Sequence, residues 1–193
     1  MQRKQRKERS QRNKSSVQFL ASSMQKREAI LSGERVLLAE MTEEDQPIFY
    51  EWRVKHPELL LLIRDRGEVT LEAQKTWFQR SKMEDRKMFS ILTTDTRELI
   101  GHGGLVDIEK ERRVAQLRIT IGNPAFWGKG FGTEASALMM RYGFETLGCT
   151  SLWLRVPIDN ERALKSYAKL GFMEEGREEF EGEEFLKMSL KKG

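Results

Sequence analysis

Trp127-Gly-Lys-Gly-Phe-Gly-Thr-Glu134 sets three glycines at alternate positions, 128, 130 and 132. The apolar run Leu117-Arg-Ile-Thr-Ile121 before it reads as a strand, and Ala135 to Phe144 after it has helical spacing. Glycines at such a junction let the backbone approach a ligand closely, and the unpaired N–H groups of a helix start favour anionic oxygens. The stretch therefore predicts a phosphate or pyrophosphate cradle between a strand and a helix. It is not a Walker A loop, because Lys129 lies between glycines and no Gly-Lys-Ser/Thr follows a four-residue spacer. Nor is it a dinucleotide fingerprint: the third glycine is one residue too close and the loop falls late in the chain. A glycine-rich turn that serves chain geometry alone is the other reading of these residues.

Upstream, Glu34 to Met41 reads as a first strand. Thr42 is placed to cap a helix whose first turn holds Glu43, Glu44 and Asp45, and whose apolar face is Ile48, Phe49 and Trp52. His56-Pro57 ends it, and Leu59 to Arg66 reads as a loop with a short apolar anchor. Thr70 caps a second helix, running to about Met83, that would bury Leu71, Trp77 and Phe78. Phe89 to Thr94, Leu99 to Ile108 and Arg113 to Ile121 form an antiparallel meander. Beyond the glycine loop, Ala135, Leu138, Met139 and Tyr142 share a helix face. Ser151 to Val156 is a strand, Asn160 caps a helix that Gly171 stops, and a hairpin turning at Glu181-Gly182 closes the chain. The order predicts one α/β domain with a central mixed, mostly antiparallel sheet flanked by helices.

The chain has 193 residues, 38% of them hydrophobic and 33% charged, which suits one well-buried domain. No apolar run approaches the roughly 20 residues that span a bilayer, so no membrane contact is expected. The single cysteine, Cys149, excludes an intrachain disulfide, and a packing role is expected for it. A reducing, cytoplasmic setting follows. The formal charge of +4 is unevenly spread: residues 1–28 carry nine Lys/Arg and two Glu, leaving the remainder mildly acidic at −3. Residues 1–28 read as a basic, disordered tail and residues 29–193 as the domain. The tail is either a nucleic-acid or ribosome-binding arm or a solvated extension upstream of Met24. The acidic balance of the domain favours a cationic acceptor.

A second motif supports the first. Residues 160–172 read Asn-Glu-Arg-Ala-Leu-Lys-Ser-Tyr-Ala-Lys-Leu-Gly-Phe. On a helix, Asn160, Ala163 and Tyr167 share one face. Small Ala163 allows close approach of a ligand, and the Tyr167 hydroxyl one turn later is a potential proton donor. Taken alone, Tyr167 also suits a core position with a satisfied hydroxyl.

Together the two segments resemble the GNAT superfamily of acetyl-CoA-dependent N-acetyltransferases over residues 34–190. The charged turn, the strand and Asn123-Pro124 before the loop look most like its RimJ/RimL and spermidine acetyltransferase-like branch. The resemblance implies acetyl-CoA as acetyl donor and a primary amine as acceptor: a protein N-terminal α-amine, a polyamine, an amino sugar or another small amine. Backbone atoms of Thr120, Ile121 and Gly122 would pair with the pantetheine arm as an added strand. Trp127, Gly128, Lys129, Gly130, Phe131, Gly132 and Thr133 would form the pyrophosphate site. Asn160 would bind the pantetheine or hold the thioester region, beside Ala163, and Tyr167 would protonate the departing thiolate. A homodimer is common among such enzymes.

Two departures bear on the base that must take the amine's proton. Gln116 stands where many relatives carry Glu, and Arg155 where some N-terminal acetylating relatives do. His102, Asp107, Glu51 and His56 are candidates by residue type, and a water relay is equally open. No metal-ligand spacing is present. Residues 52–85 read as the specificity segment, in which Arg64 and Arg66 either meet phosphates of a sugar-nucleotide acceptor or are solvated. The alternative from another class is a non-catalytic acyl-CoA-binding regulatory module tethered to RNA or a ribosome by the tail.

Overall fold

Four buried residues in a row, Val36 to Ala39, mark an interior strand, Val36–Glu40 (β2), with cores on both of its faces. It hydrogen-bonds antiparallel to a preceding strand, Ala29–Ser32 (β1), across a turn closed by Gly33 N–H donating to the Val36 carbonyl. The single strand expected over 34–41 is thus the second arm of a hairpin. The computed structural model describes residues 27–193, so the tail reading falls outside the described residues except at Arg27 and Glu28. The Arg27 guanidinium pairs at 2.7 Å with fully buried Asp45, which also accepts from Ser90 at 2.6 Å.

A short 3₁₀ turn at Glu43–Asp45 leads into Gln46–Lys55 (α1), and Pro57–Ile63 follows as α2. Leu59 to Ile63, the first part of the segment read as a loop, is therefore helical. Pro57 sits in its first turn, where a missing N–H costs nothing, and Arg64 in the left-handed region (φ 53°) ends it. Leu71–Arg80 (α3) is capped by Thr70, whose hydroxyl accepts from Ala73 N–H at 3.1 Å. Phe78 is buried as expected, whereas Leu71 is 56% exposed and Gln74 takes the inward place. Leu71 is the first residue of the helix, off the face that packs.

Lys87–Thr93 (β3), Leu99–Glu109 (β4) and Val114–Ile121 (β5) form the meander. Phe131–Arg141 (α4) begins four residues earlier than the apolar spacing implied, so Gly132 and Thr133 lie in its first turn. A π-helical turn at Tyr142–Thr146, Ser151–Pro157 (β6), Glu161–Lys169 (α5), Met173–Phe180 (β7) and Glu183–Lys191 (β8) complete the fold. The sheet order is β1-β2-β3-β4-β5-β6-β8-β7, and only β5–β6 is parallel.

Strand alternation divides the sheet between two cores. On one face Leu105, Leu117 and Leu152 pack with Ala135 and Met139 of α4 and Tyr167 of α5. On the other, Phe49, Trp52, Leu59 and Phe78 of α1–α3 pack over Leu37 and Ala39. Truncating a fully buried residue such as Met139 to alanine should cost about 2–5 kcal/mol.

The parallel pair is incomplete. β5 and β6 are in register only at Val114–Ser151, Ala115–Leu152 and Gln116–Trp153. Past that point β5 stays with β4 as far as Ile121, and β6 stays with β8 as far as Pro157. The sheet therefore opens as a V, with unpaired backbone groups along each inner edge.

Candidate active site

The V is the centre of a cleft of about 1040 Å³ running from the glycine loop to α1–α3. Ladder alternation decides which groups β5 presents to it. Gly122 N–H donates to the Ile100 carbonyl at 2.9 Å, so Gly122, Thr120 and Arg118 turn their backbone toward β4. The groups facing the V are those of Ile119 and Ile121, and the Ile121 carbonyl accepts from Trp127 Nε1 at 2.7 Å. Strand parity moves the presented edge one residue away from the expected Thr120 and Gly122. Gly122 serves packing instead, since it is buried beneath the Trp52 ring.

Gly128 and Gly130 hold φ of +71° and +86°, a region that strains other residues. No heavy atom lies within 4 Å of where a Gly128 side chain would begin, so backbone is bare to the cleft there. The first N–H of α4 with a helical acceptor is Glu134, bonded to the Gly130 carbonyl; those before it point out of the helix end. Gly128, Gly130, Gly132 and Thr133 line the cleft, but Lys129 and Phe131 do not. The Lys129 carbonyl accepts from Arg35 at 2.8 Å, and the Phe131 ring lies against Phe126 and beneath the Arg35 guanidinium. Arg35 in turn is held by Glu134, which accepts from its backbone N–H at 2.8 Å and its Nε at 3.0 Å. Burial pushes the Glu134 pKa up, but the Arg35 and Val36 N–H groups and the Arg35 guanidinium outweigh it and hold the carboxyl below its ordinary value.

The opposite wall is α5. Asn160, Ala163 and Tyr167 all line the cleft. Both ends of the Asn160 amide are engaged: Oδ1 accepts from Ala163 N–H and Nδ2 donates to the Leu62 carbonyl, each at 3.2 Å. Asn160 thereby caps α5 and fastens it to α2. Tyr167 is buried edge-on against Phe172, and that burial raises its pKa, so the phenol stays protonated. Thr133 and Ser166 hydroxyls bond at 2.6 Å across the two helices, and Arg162 stacks over the Trp127 ring at 4.8 Å.

Of the candidate bases, only His102 lines the cleft. Its ring is wedged 4.7 Å from Phe49 and 4.8 Å from Trp77. Burial, with the Arg53 charge adding to it, lowers its pKa to about 4, so it is neutral at pH 7. Glu51 pairs with Lys55 and His56 with Glu58, away from the cleft. Gln116 is buried and accepts from Arg118, and Arg155 is bonded to Glu178; neither supplies a base. Of the segment 52–85, Trp52, Arg53, Leu62 and Trp77 line the cleft at its α1–α3 end. Arg64 and Arg66 are spent on ion pairs, Arg64 with Asp159 and Glu183 and Arg66 with Glu183, which is poor support for a phosphate site there.

Residues 35–173 match the Acetyltransferase (GNAT) domain family. The chain belongs to this family. As a GNAT acetyltransferase it takes its acetyl group from acetyl-CoA. It is 28% identical over 176 residues to the N-acetyltransferase 9-like protein of Nematostella vectensis, covering 85% of each. It is 44% identical over 72 residues to spermidine N(1)-acetyltransferase of Escherichia coli strain K12, a match spanning 37% of this chain and 38% of that protein. The fold superposes on spermidine N-acetyltransferase from Vibrio cholerae in complex with CoA and spermine (TM-score 0.73, 21% identity, 81% of this chain and 95% of that one). Among the described residues of the GNAT chain, no cluster of side chains is suited to a metal ion and no helix is long and apolar enough to cross a membrane.

Proposed function

We propose that this GNAT enzyme transfers acetyl from acetyl-CoA to a primary amine that enters from the α1–α3 face, with Tyr167 as general acid on the opposite side. The observation that carries the reading is the V between β5 and β6, which has a bare glycine loop at one end and a protonated phenol in its wall. The residues fit the donor: an exposed strand edge suits an amide-bearing arm, and the N–H groups from Gly128 to Thr133 suit a pyrophosphate. Acetyl-CoA supplies a thioester carbonyl open to direct attack by an uncharged amine.

The chain's own part follows from its geometry. Ile119 and Ile121 N–H groups polarise a carbonyl laid along the edge. Tyr167 gives its proton to the sulfur that departs. His102, neutral and facing the acceptor, is suited to hold the amine or a water that removes its proton. Trp52 and Trp77 exclude bulk water from that side. Trp127 and Asn123-Pro124 support membership of the RimJ/RimL and spermidine acetyltransferase-like branch.

The test is CoA release by the purified chain against a panel of amines. Turnover of any of them supports the reading. Saturable acetyl-CoA binding without turnover on the whole panel would favour the non-catalytic module.

A further inference from the structure

Three guanidinium groups gather on the acceptor face of the sheet, and the acetyl-transfer step uses none of them. Arg86 stands immediately before β3, Arg118 on β5 and Arg155 on β6, and all three line the cleft. Register places them on one face. Met88 opposes Gly104, which opposes Arg118, and Gln116 opposes Trp153, two residues before Arg155. His102 lies on the same face, opposite Thr120. Gly104 lets β3 and β4 close together here, since a side chain on it would start 2.1 Å from the Lys87 carbonyl oxygen.

Their charge is only partly met. Arg155 is bonded to Glu178. Arg86 Nε is 3.7 Å from Asp85 Oδ1, too far for a hydrogen bond, and both atoms are buried without a hydrogen-bond partner among the described residues. Arg118 makes no ion pair among the described residues; it donates to the neutral Gln116 amide at 3.1 Å. Arg118 is exposed to the cleft, yet partial desolvation of its head group, and then the Arg86 and Arg155 charges, pull its pKa down against the opposing effects of Asp107 and Glu181. Guanidiniums crowded in a cleft wall repel one another, and an oxyanion among them would relieve that and accept forked hydrogen bonds.

We propose that Arg118, with Arg155 and Arg86, forms an acceptor-side anion subsite, and that the amine substrate carries a carboxylate or phosphate held there while its amine faces the V. The proposal rests on the acetyl-transfer reading and names its substrate class. The mildly acidic balance of the domain favours a cationic acceptor, but Arg118 brings to this end of the cleft a guanidinium without an ion pair among the described residues.

The test uses the full 193-residue chain and three amines of similar length: γ-aminobutyrate, aminopropyl phosphate and putrescine. At least one anionic amine should exceed putrescine in kcat/KM by about tenfold or more, and the two anionic arms tell carboxylate from phosphate. Arg118→Gln and Arg155→Gln should each abolish that preference without changing the KM for acetyl-CoA, and Arg118→Lys should restore part of it. A preference for putrescine, or a preference unmoved in both glutamine variants, overturns the proposal. Inorganic phosphate titrated into the CoA-saturated protein gives a readout free of turnover. Binding weakened about tenfold by Arg118→Gln supports the subsite even if no amine is acetylated, in which case the acetyl-transfer reading alone fails. Phosphate binding that is absent, or indifferent to Arg118, overturns the subsite while leaving acetyl transfer standing.

Discussion

Glu134, in the first turn of α4, accepts hydrogen bonds from both the backbone N–H and the guanidinium of Arg35, which lies 99 residues earlier, immediately before β2. Arg35 then reaches the Lys129 carbonyl, so one carboxylate fixes the glycine loop to the sheet. Glu134→Gln keeps the shape but forfeits the charge. It should raise the KM for acetyl-CoA by about tenfold with a smaller change in kcat, measured by CoA release at varied donor concentration. The carboxyl pKa is held below its unfolded value, so its contribution to stability is present above that unfolded value and is lost as pH falls through the folded one. Acid unfolding of Glu134→Gln should therefore lose part of the wild-type dependence at low pH; an unchanged acid transition and an unchanged KM would remove this clamp.

Tyr167→Phe removes one hydroxyl from a buried ring and leaves its contact with Phe172 in place. Turnover should fall by about a hundredfold while acetyl-CoA affinity stays within about twofold, the pattern of a group used only in the transition state. Equal loss of both would make Tyr167 a packing residue.

What is legible in the sequence is local. The three glycines, the Asn160–Tyr167 helix and the strands around them lie within single elements, where spacing and capping act directly. The strand Ala29–Ser32 escapes a sequence reading because only pairing with β2 makes four residues a strand. The helix Pro57–Ile63 escapes it because a short apolar run has no clear period. Ile119 escapes it because strand parity depends on which backbone pairs bond to β4. The Arg35–Glu134 clamp and the Arg86, Arg118 and Arg155 cluster join residues far apart in the chain, and a single sequence does not show such meetings.

His102 has a folded pKa of about 4, lowered by burial and by Arg53 from an ordinary 6.5. The unfolded chain takes up its proton first, so stability should decline as pH falls from 6.5 toward 4. His102→Asn should flatten the plot of Tm against pH in that window. The acceptor kcat/KM of the wild-type enzyme should show no inflection near pH 6.5 from this residue. An inflection there that disappears in His102→Asn would mean the imidazole titrates normally and acts as a conventional base.

Gly122 directly follows β5 and lies beneath Trp52. A methyl group at Gly122 would start 1.9 Å from the Trp52 ring, and the ring is held in turn by Phe49 at 5.5 Å. The backbone there is anchored by its N–H on Ile100, so it cannot retreat without breaking the end of the β4–β5 ladder. Gly122→Ala should therefore cost about 1–3 kcal/mol in denaturant unfolding, through overpacking rather than backbone strain. Since Trp52 lines the acceptor end, the displaced ring should also raise the acceptor KM more than the acetyl-CoA KM. Trp52→Leu frees the space. Combined with Gly122→Ala it should recover much of the loss, giving a strongly non-additive double-mutant cycle. Additive losses would mean that the strand end yields instead of the ring, and that Gly122 is not the seat on which the acceptor wall rests.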